Sequence, residues 1–236
     1  MRAWTVHEFG PFRQALRLEE TPLPCATPES ALIRVSSAGI NFQDTLLIAG
    51  TYQTRPATPF TPGFEVAGER VETGERVMAF TDTGGFAEYV VLDPARSFPV
   101  PRNMRDDEAA GFLLSYQTAY FALVDRARLR PGEVLLVHAG AGGLGSASIQ
   151  LGRALGATVI ATAGSAEKIE ACRRAGADYV INYAEQGFAE EVRAITGGAG
   201  ADVILDPVGG DVFAASMKSI AWNGRIVVAG FASAQI

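Results

Sequence analysis

Val134-Leu135-Leu136-Val137-His138-Ala139-Gly140-Ala141-Gly142-Gly143-Leu144-Gly145, then a small-residue stretch, then Ala157-Thr158-Val159-Ile160-Ala161-Thr162, is the most informative part of this chain. Val134 to Val137 is apolar at every position, as a short strand buried on both faces must be. Thr158 to Thr162 has the same character. Between them Leu144, Ala147, Leu151 and Leu155 recur at helical spacing. Strand, glycine turn, helix and strand make one βαβ unit. Gly140, Gly142 and Gly145 stand in G-x-G-x-x-G spacing inside it, the context that gives this spacing meaning. The first glycine is expected to permit the tight turn, the second to let backbone approach a pyrophosphate, the third to let the helix pack close to the strand. The helix N-terminus then offers N–H groups and partial positive charge to phosphates. Dinucleotide binding is favoured over a purely structural glycine turn.

The alternation continues beyond this unit. Strands are expected at Val134–Val137, Thr158–Thr162, Tyr179–Ile181, Val203–Leu205 and Arg225–Ala229, with helices near Gly143–Leu155, Ala166–Ala175, Glu185–Thr196 and Asp211–Ala221. Phe188, Val192 and Ile195 share a face in the third helix. Apolar strands alternating with helices specify α/β architecture: a doubly wound parallel sheet of Rossmann type, assigned to residues 104–236.

Residues 1–103 read differently. Ala3–Val6, Ala31–Ser37, Glu75–Ala79 and Phe86–Leu92 have strand character, separated by turns, which suggests a small barrel-like domain. Glu20 to Pro28 is a proline-rich surface loop, and Thr54 to Gly63, with Pro56, Pro59 and Pro62, is an extended one. Asn41 to Ala49 is expected to be a short helix stopped by Gly50. Pro99 and Pro101 mark the domain boundary. Asp106 to Arg128 then reads as a helix broken near Gly111, with Asp106, Asp107 and Glu108 suiting its N-terminal dipole.

Composition narrows the function classes. The chain has 236 residues, 48% hydrophobic and 19% charged, as a globular protein with a sizeable core requires. A net charge of −6 argues against a nucleic-acid or anionic-membrane partner. Cys25 and Cys172 have neither metal-ligand spacing nor a disulfide framework, which suits a reducing, cytoplasmic compartment. The first eight residues lack the apolar block of a signal peptide, and no apolar run is long enough to span a membrane.

The second strand predicts which nucleotide. An NAD site places Asp or Glu about 20 residues beyond the glycines to bind the ribose 2′-OH. Here Ala163, Gly164 and Ser165 occupy that place. No carboxylate stands there to repel a 2′-phosphate, Ser165 can donate to one, and Lys168 lies a helical turn on. NADPH is therefore favoured over NADH. Ser165 can equally serve as a helix N-cap, and Lys168 as a solvated surface lysine.

These residues also carry a resemblance. Ala38-Gly39-Ile40-Asn41-Phe42-Gln43-Asp44, Thr61-Pro62-Gly63-Phe64-Glu65-Val66-Ala67-Gly68, Gly85-Phe86-Ala87-Glu88-Tyr89, Tyr116-Gln117-Thr118-Ala119-Tyr120, His138 to Gly145, Gly176 to Tyr183 and Asp206-Pro207-Val208-Gly209-Gly210 occur in order over almost the whole chain. Together they resemble the zinc-independent branch of the medium-chain dehydrogenase/reductases, in particular NADPH:quinone oxidoreductases and related enoyl reductases. The resemblance implies an N-terminal GroES-like catalytic domain and a cofactor in the cleft beside the Rossmann domain. It implies diphosphate contacts from Gly142, Gly143, Leu144 and Gly145, and 2′-phosphate contacts from Ser165, Lys168 and Tyr183. It places Asn41 and Thr118 near the nicotinamide ribose, Val208 and Phe231 beside the nicotinamide, and Tyr52 near the substrate pocket. Tyr183 and Tyr52, taken alone, read as packing residues.

The resemblance also bears on metal. Asn41, Phe64 and Leu114 stand where the zinc alcohol dehydrogenases carry ligands, and neither Phe64 nor Leu114 has a donor atom. His138, ending a buried strand, is expected to be structural, as are Asp44 and Glu65. The expected chemistry belongs to the cofactor: hydride transfer from NADPH to a quinone or an α,β-unsaturated carbonyl. Asn41, Tyr52 and backbone N–H groups are the candidates to stabilise the developing oxyanion, and water or Tyr52 to supply a proton. The competing expectation is a non-catalytic NADPH-binding sensor or accessory protein. An enoyl reductase module serving a carrier protein finds no docking patch.

Two departures from the family are expected to matter. Only Glu69 to Thr73 separates Gly68 from Gly74, a shortened hairpin. Family members also run on beyond Ile236, adding a Rossmann strand, a dimerising strand and a return to the catalytic domain. The chain is thus read as a fragment rather than a pared-down member, and as a homodimer where that region is present.

Overall fold

The computed structural model describes residues 1–232; Ile236 lies outside the described residues. The chain divides into two compact units, Met1–Leu114 and Ser115–Ile236.

Unit 1 is antiparallel β structure with short helices. Its elements are β1 (Arg2–Val6), α1 (Phe12–Ala15), β2 (Leu16–Glu20), β3 (Ala31–Ala38), α2 (Phe42–Ala49), β4 (Glu65–Arg70), β5 (Arg76–Phe80), β6 (Tyr89–Leu92), β7 (Ser97–Pro99) and α3 (Asp106–Ala110), with α4 (Leu113–Tyr120) crossing the boundary. Strands β1 and β2 form one pair, and the remaining strands form a sheet in the order β6-β3-β4-β5-β7. Alternation turns Ala31 and Ile33 of β3 inward against Val66, Val77, Ala79, Val90 and Leu92. Asn41 precedes α2, and Gly50 ends it in the left-handed conformation, φ 73°. The turn after β4 is tight: the Gly74 N–H donates to the Arg70 carbonyl at 2.8 Å. Trp4 is 43% exposed.

The stretch from Asp106 breaks at Gly111, resumes as α4, and continues as a π-helical turn over Phe121–Arg126. Ala109, Ala110 and Leu113 pack with Ala67, Met78 and Val100. Residues 104–114 therefore join the first unit instead of opening the second.

Unit 2 contains β8 (Val134–Val137), α5 (Gly143–Ala154), β9 (Thr158–Ala163), α6 (Ala166–Ala175), β10 (Tyr179–Asn182), α7 (Phe188–Ile195), β11 (Ala201–Asp206), α8 (Asp211–Ser219) and β12 (Ile220–Val228). The strands are parallel in the order β10-β9-β8-β11-β12, the doubly wound Rossmann arrangement. Neighbouring residues feed opposite cores. Leu135, Val137, Val159 and Val203 pack with Ile149 and Cys172, whereas Leu136, Ile160 and Ile204 pack with Phe188 and Val192. That is why these strands are apolar throughout. Strand β12 begins at Ile220, earlier than the apolar run from Arg225 suggests, because α8 stops at Ser219. Arg225 pairs with Glu133 at 2.7 Å and donates to the Ala127 carbonyl at 2.8 Å. Trp222 is 99% exposed.

Candidate cofactor site

Strand order reverses direction at β8, between β9 and β11. Ligands of such sheets bind outside the carboxyl ends of the strands near that switch. The chain leaves β8 through His138 and Ala139, and the tight turn differs from expectation. Ala139 adopts the left-handed conformation, φ 50°, and Gly140 has no positive φ. What requires glycine at 140 is space: a Cβ there would lie 2.8 Å from Cys172 Sγ and 3.0 Å from Ala161 Cβ. At Gly142 a Cβ would meet only the Ala139 carbonyl, at 3.4 Å, so its outer side is open to a ligand. At Gly145 a Cβ would collide with the Ala139 carbonyl and the Gly140 backbone, so the third glycine seats the helix, as the motif requires. Helix α5 starts from Gly142 with no side-chain cap, leaving its first N–H groups for an anion.

The second cluster forms at the ends of β9 and β10. The Tyr183 N–H donates to the Ala163 carbonyl at 3.2 Å, which carries Tyr183 alongside Gly164. A Cβ on Gly164 would lie 2.6 Å from the Tyr183 hydroxyl, so glycine is what lets the phenol settle there. Ser165 follows and caps α6: its Oγ accepts the Lys168 N–H at 3.4 Å. The N-cap role therefore exists, and it leaves the hydroxyl proton available to a second acceptor. Ser165 and Lys168 are exposed, and Tyr183 is half-exposed. The three residues expected at the 2′-phosphate thus lie together on one surface.

Val208 and Phe231 follow β11 and β12. Asp206, fully buried, holds the Val208 loop: its Oδ1 accepts the Val208 N–H at 2.8 Å and the Gly209 N–H at 3.0 Å. The Ala232 N–H donates to the Pro207 carbonyl at 3.1 Å, tying the two loops to each other. Thr118 is half-buried on α4, one turn from Ser115. A Cβ on Gly143 would stand 2.9 Å from the Ser115 hydroxyl.

His138 is structural, as expected. Its Nε2 meets Ser216 Oγ at 2.9 Å and its Nδ1 meets Thr162 Oγ1 at 3.1 Å. The Ser216 hydroxyl already donates to the Val212 carbonyl at 2.7 Å, so Nε2 carries the proton and Nδ1 accepts from Thr162. Burial lowers the His138 pKa to about 4, against a smaller opposite pull from Asp206.

In unit 1, Asn41 lies between two buried carboxylates. Asp44 Oδ2 accepts the Asn41 N–H at 2.7 Å, and Glu65 Oε1 accepts from Asn41 Nδ2 at 2.8 Å. Glu65 Oε2 accepts the Leu114 N–H at 2.9 Å. Burial, reinforced by the nearby Glu65 charge, raises Asp44 to about 6, although the Asn41 and Gly63 N–H groups pull the other way. Asp44 Oδ1 is buried without a partner. Burial raises Glu65 too. The Tyr52 hydroxyl donates to Gln43 Oε1 at 3.3 Å, and its ring meets Phe64 edge-on at 5.7 Å. Among the described residues no group of three or more His, Cys, Asp and Glu side chains is arranged to hold a metal ion.

Sequence reading missed Ser115 against Gly143, Asp206 as the anchor of the Val208 loop, and Glu65 as the partner of Asn41. Asp206 and Glu65 carried a signal, each standing in one of the ordered motifs, but neither motif names the partner; Ser115 carried none.

Two family models match the chain: the alcohol dehydrogenase GroES-like domain over residues 27–102 and zinc-binding dehydrogenase over residues 143–236. Quinone oxidoreductase-like protein 2 of Mus musculus is 38% identical over 234 residues, covering 95% of this chain and 67% of the relative. Quinone oxidoreductase of Rattus norvegicus is 34% identical over 241 residues, covering 98% of this chain and 73% of the relative. The chain belongs to the quinone oxidoreductase family of medium-chain dehydrogenase/reductases. Within this family, the quinone oxidoreductase of Thermus thermophilus, whose crystal structures include a complex with NADPH, superposes with a TM-score of 0.87 at 38% identity, covering 97% of this chain and 73% of that one. The ordered motifs of unit 2 are thus those of a quinone oxidoreductase nucleotide-binding domain.

Proposed function

We propose that this chain is an NADPH-dependent oxidoreductase that passes hydride to a quinone or an α,β-unsaturated carbonyl without a metal. The observation that carries the reading is the surface formed by Gly164, Ser165, Lys168 and Tyr183, with no carboxylate among the residues that end β9 and Glu167 the one acid in the first turn of α6, together with the uncapped start of α5. NADPH supplies the hydride when bound. The residues of this chain bind and orient it. Backbone N–H groups of Gly143, Leu144 and Gly145 meet the diphosphate, with Gly142 giving close approach. Ser165, Lys168 and Tyr183 meet the 2′-phosphate, a cation and two hydroxyls for a dianion. Val208 and Phe231 flank the nicotinamide, and Asp206 holds the Val208 loop in place. Asn41 and Thr118 meet the nicotinamide ribose, and Tyr52 borders the acceptor.

The donor set supports a metal-free reaction. Zinc needs nitrogen, sulfur or carboxylate ligands. Phe64 offers only a ring, packed on Tyr52, and Leu114 offers a backbone N–H committed to Glu65. The Thermus thermophilus structure with NADPH supports the cofactor.

Stopped-flow oxidation of NADPH with 1,4-benzoquinone, and separately with an enone, tests the reading. Oxidation with either acceptor, undiminished by a chelator, is the expected result. NADPH binding without oxidation of either would leave a non-catalytic sensor, and no binding would end both readings.

A further inference from the structure

Glu65 has no place in the chemistry above, yet its carboxylate is almost fully buried and both oxygens are occupied. Oε1 accepts from Asn41 Nδ2 at 2.8 Å, and Oε2 from the Leu114 N–H at 2.9 Å. The space it fills is cleared by Gly39, where a Cβ would lie 2.6 Å from Glu65 Cγ and Oε1. The arrangement dictates which way the Asn41 amide faces. Turned over, it would set Oδ1 against Glu65 Oε1, two acceptors with no proton between them. Leu114 closes the other escape, because its N–H needs an acceptor and holds Oε2 in place.

We propose that Glu65 is a positioning residue that turns the Asn41 amide inward, so that Asn41 offers a bound cofactor its carbonyl oxygen as an acceptor for a hydroxyl. This rests on the reading of the chain as an NADPH enzyme with Asn41 in its site. The Asp44 N–H, in the first turn of α2, donates to the Asn41 backbone carbonyl at 3.0 Å and faces the Asn41 side chain in a capping box, so Oδ1 shares that donor and keeps a second lone pair for a ligand. The proposal revises one expectation. With Nδ2 committed to Glu65, Asn41 serves a ribose hydroxyl and not the developing oxyanion, which passes to Tyr52 or backbone N–H groups.

A swap of donor and acceptor tests this. In N41D two carboxylates face each other, and NADPH affinity, read from nucleotide fluorescence, should fall about tenfold or more. In E65Q one side-chain amide must satisfy two N–H donors and can accept only one of them well. In N41D/E65Q the new amide donates to the new carboxylate and still accepts from Leu114, while that carboxylate still presents an acceptor outward. The double variant should bind NADPH within about threefold of the native chain. A double variant no better than N41D overturns the proposal, because an amide donating to the ligand cannot be replaced by a carboxylate. Should N41D fail to fold, E65Q alone decides. The expected result is a KM for NADPH that rises by a larger factor than kcat falls, and a fall in kcat at constant KM overturns the proposal. A native chain that binds no NADPH defeats the functional reading itself, whereas native binding without rescue defeats only this one.

Discussion

Asp44 in unit 1 and His138 in unit 2 are equally buried, each about 1% exposed, and are treated in opposite ways. His138 has a hydroxyl on each ring nitrogen, so the neutral ring is the form that fits. Asp44 has one oxygen bonded to the N–H of Asn41, just before its helix, and the other buried without a hydrogen bond, with the Gly63 N–H and the Glu65 carboxyl nearby. Burial disfavours the charged form of both. For the base this means a lowered pKa and for the acid a raised one. The His138 ring is a settled polar group of the Rossmann unit, and Asp44 an unsettled one of the β unit, beside Asn41. Buried polarity is therefore cheap where geometry completes it and costly where a site leaves it open.

The largest way to break this comparison is His138→Ala. It strips Thr162 of its partner and opens a cavity against Phe188, whose ring lies 4.6 Å away, centre to centre. Unit 2 should lose about 3 kcal/mol in urea unfolding. An unchanged midpoint would mean that His138 is not the settled polar group described.

Acid sharpens the contrast. His138 titrates near 6.5 when unfolded and about 4 when folded, so its unit keeps full stability above 6.5 and loses it as pH falls toward 4. Asp44, raised from 3.8 to about 6, imposes its full penalty above 6, and the penalty is relieved as pH falls toward 3.8. Between pH 7 and pH 5, unit 2 should lose about 2 kcal/mol and unit 1 gain about 1 kcal/mol. Hydrogen exchange at both pH values, corrected for intrinsic rates, reads amides of β8 and α2 separately. Equal shifts in the two units would remove the distinction.

Asp44→Asn should act in the reverse sense from most buried substitutions. It removes the charge while keeping an oxygen for the Asn41 N–H, and should raise stability at pH 8 by about 1–2 kcal/mol. The gain should fade below pH 6, where Asp44 is itself neutral, and Tm measured at pH 8 and pH 5 reports it. The smallest effect belongs to the exposed polar residue Ser165. Ser165→Ala should cost about 1 kcal/mol through the lost cap. It should also weaken NADPH more than NADH, which calorimetry with each nucleotide reads.

The two units also differ in how far the sequence foretells them. Val134–Val137 and Ala166–Ala175 fall where periodicity puts them, because a strand covered on both faces and a helix with one apolar stripe have little else to be. In unit 1, β2 lies in a two-stranded pair with mostly exposed side chains, and its five residues, Leu16-Arg17-Leu18-Glu19-Glu20, are too short and too polar a run to announce a strand. Strand β4 carries Glu65 and Gly68 at buried positions, so its pattern reads as a motif and not as a strand. The site divides similarly. Residues following strand ends, such as Ser165 and Val208, are read from their motifs. The contacts of Glu65 span 24 and 49 residues and leave no local trace. Nor does the left-handed Ala139, since nothing about alanine announces that conformation.

Each unit holds a single tryptophan, Trp4 in one and Trp222 in the other. The Trp222 indole is bathed in solvent in the native fold, and its emission has almost no wavelength left to shift when its unit melts. Trp4 begins partly sheltered and does. A melting curve followed by intrinsic fluorescence is consequently a record of the β unit, and circular dichroism of the helices, most of them in the other unit, chiefly a record of that one. The chain comes with its own two-channel reporter, and no label is needed to watch the halves come apart separately.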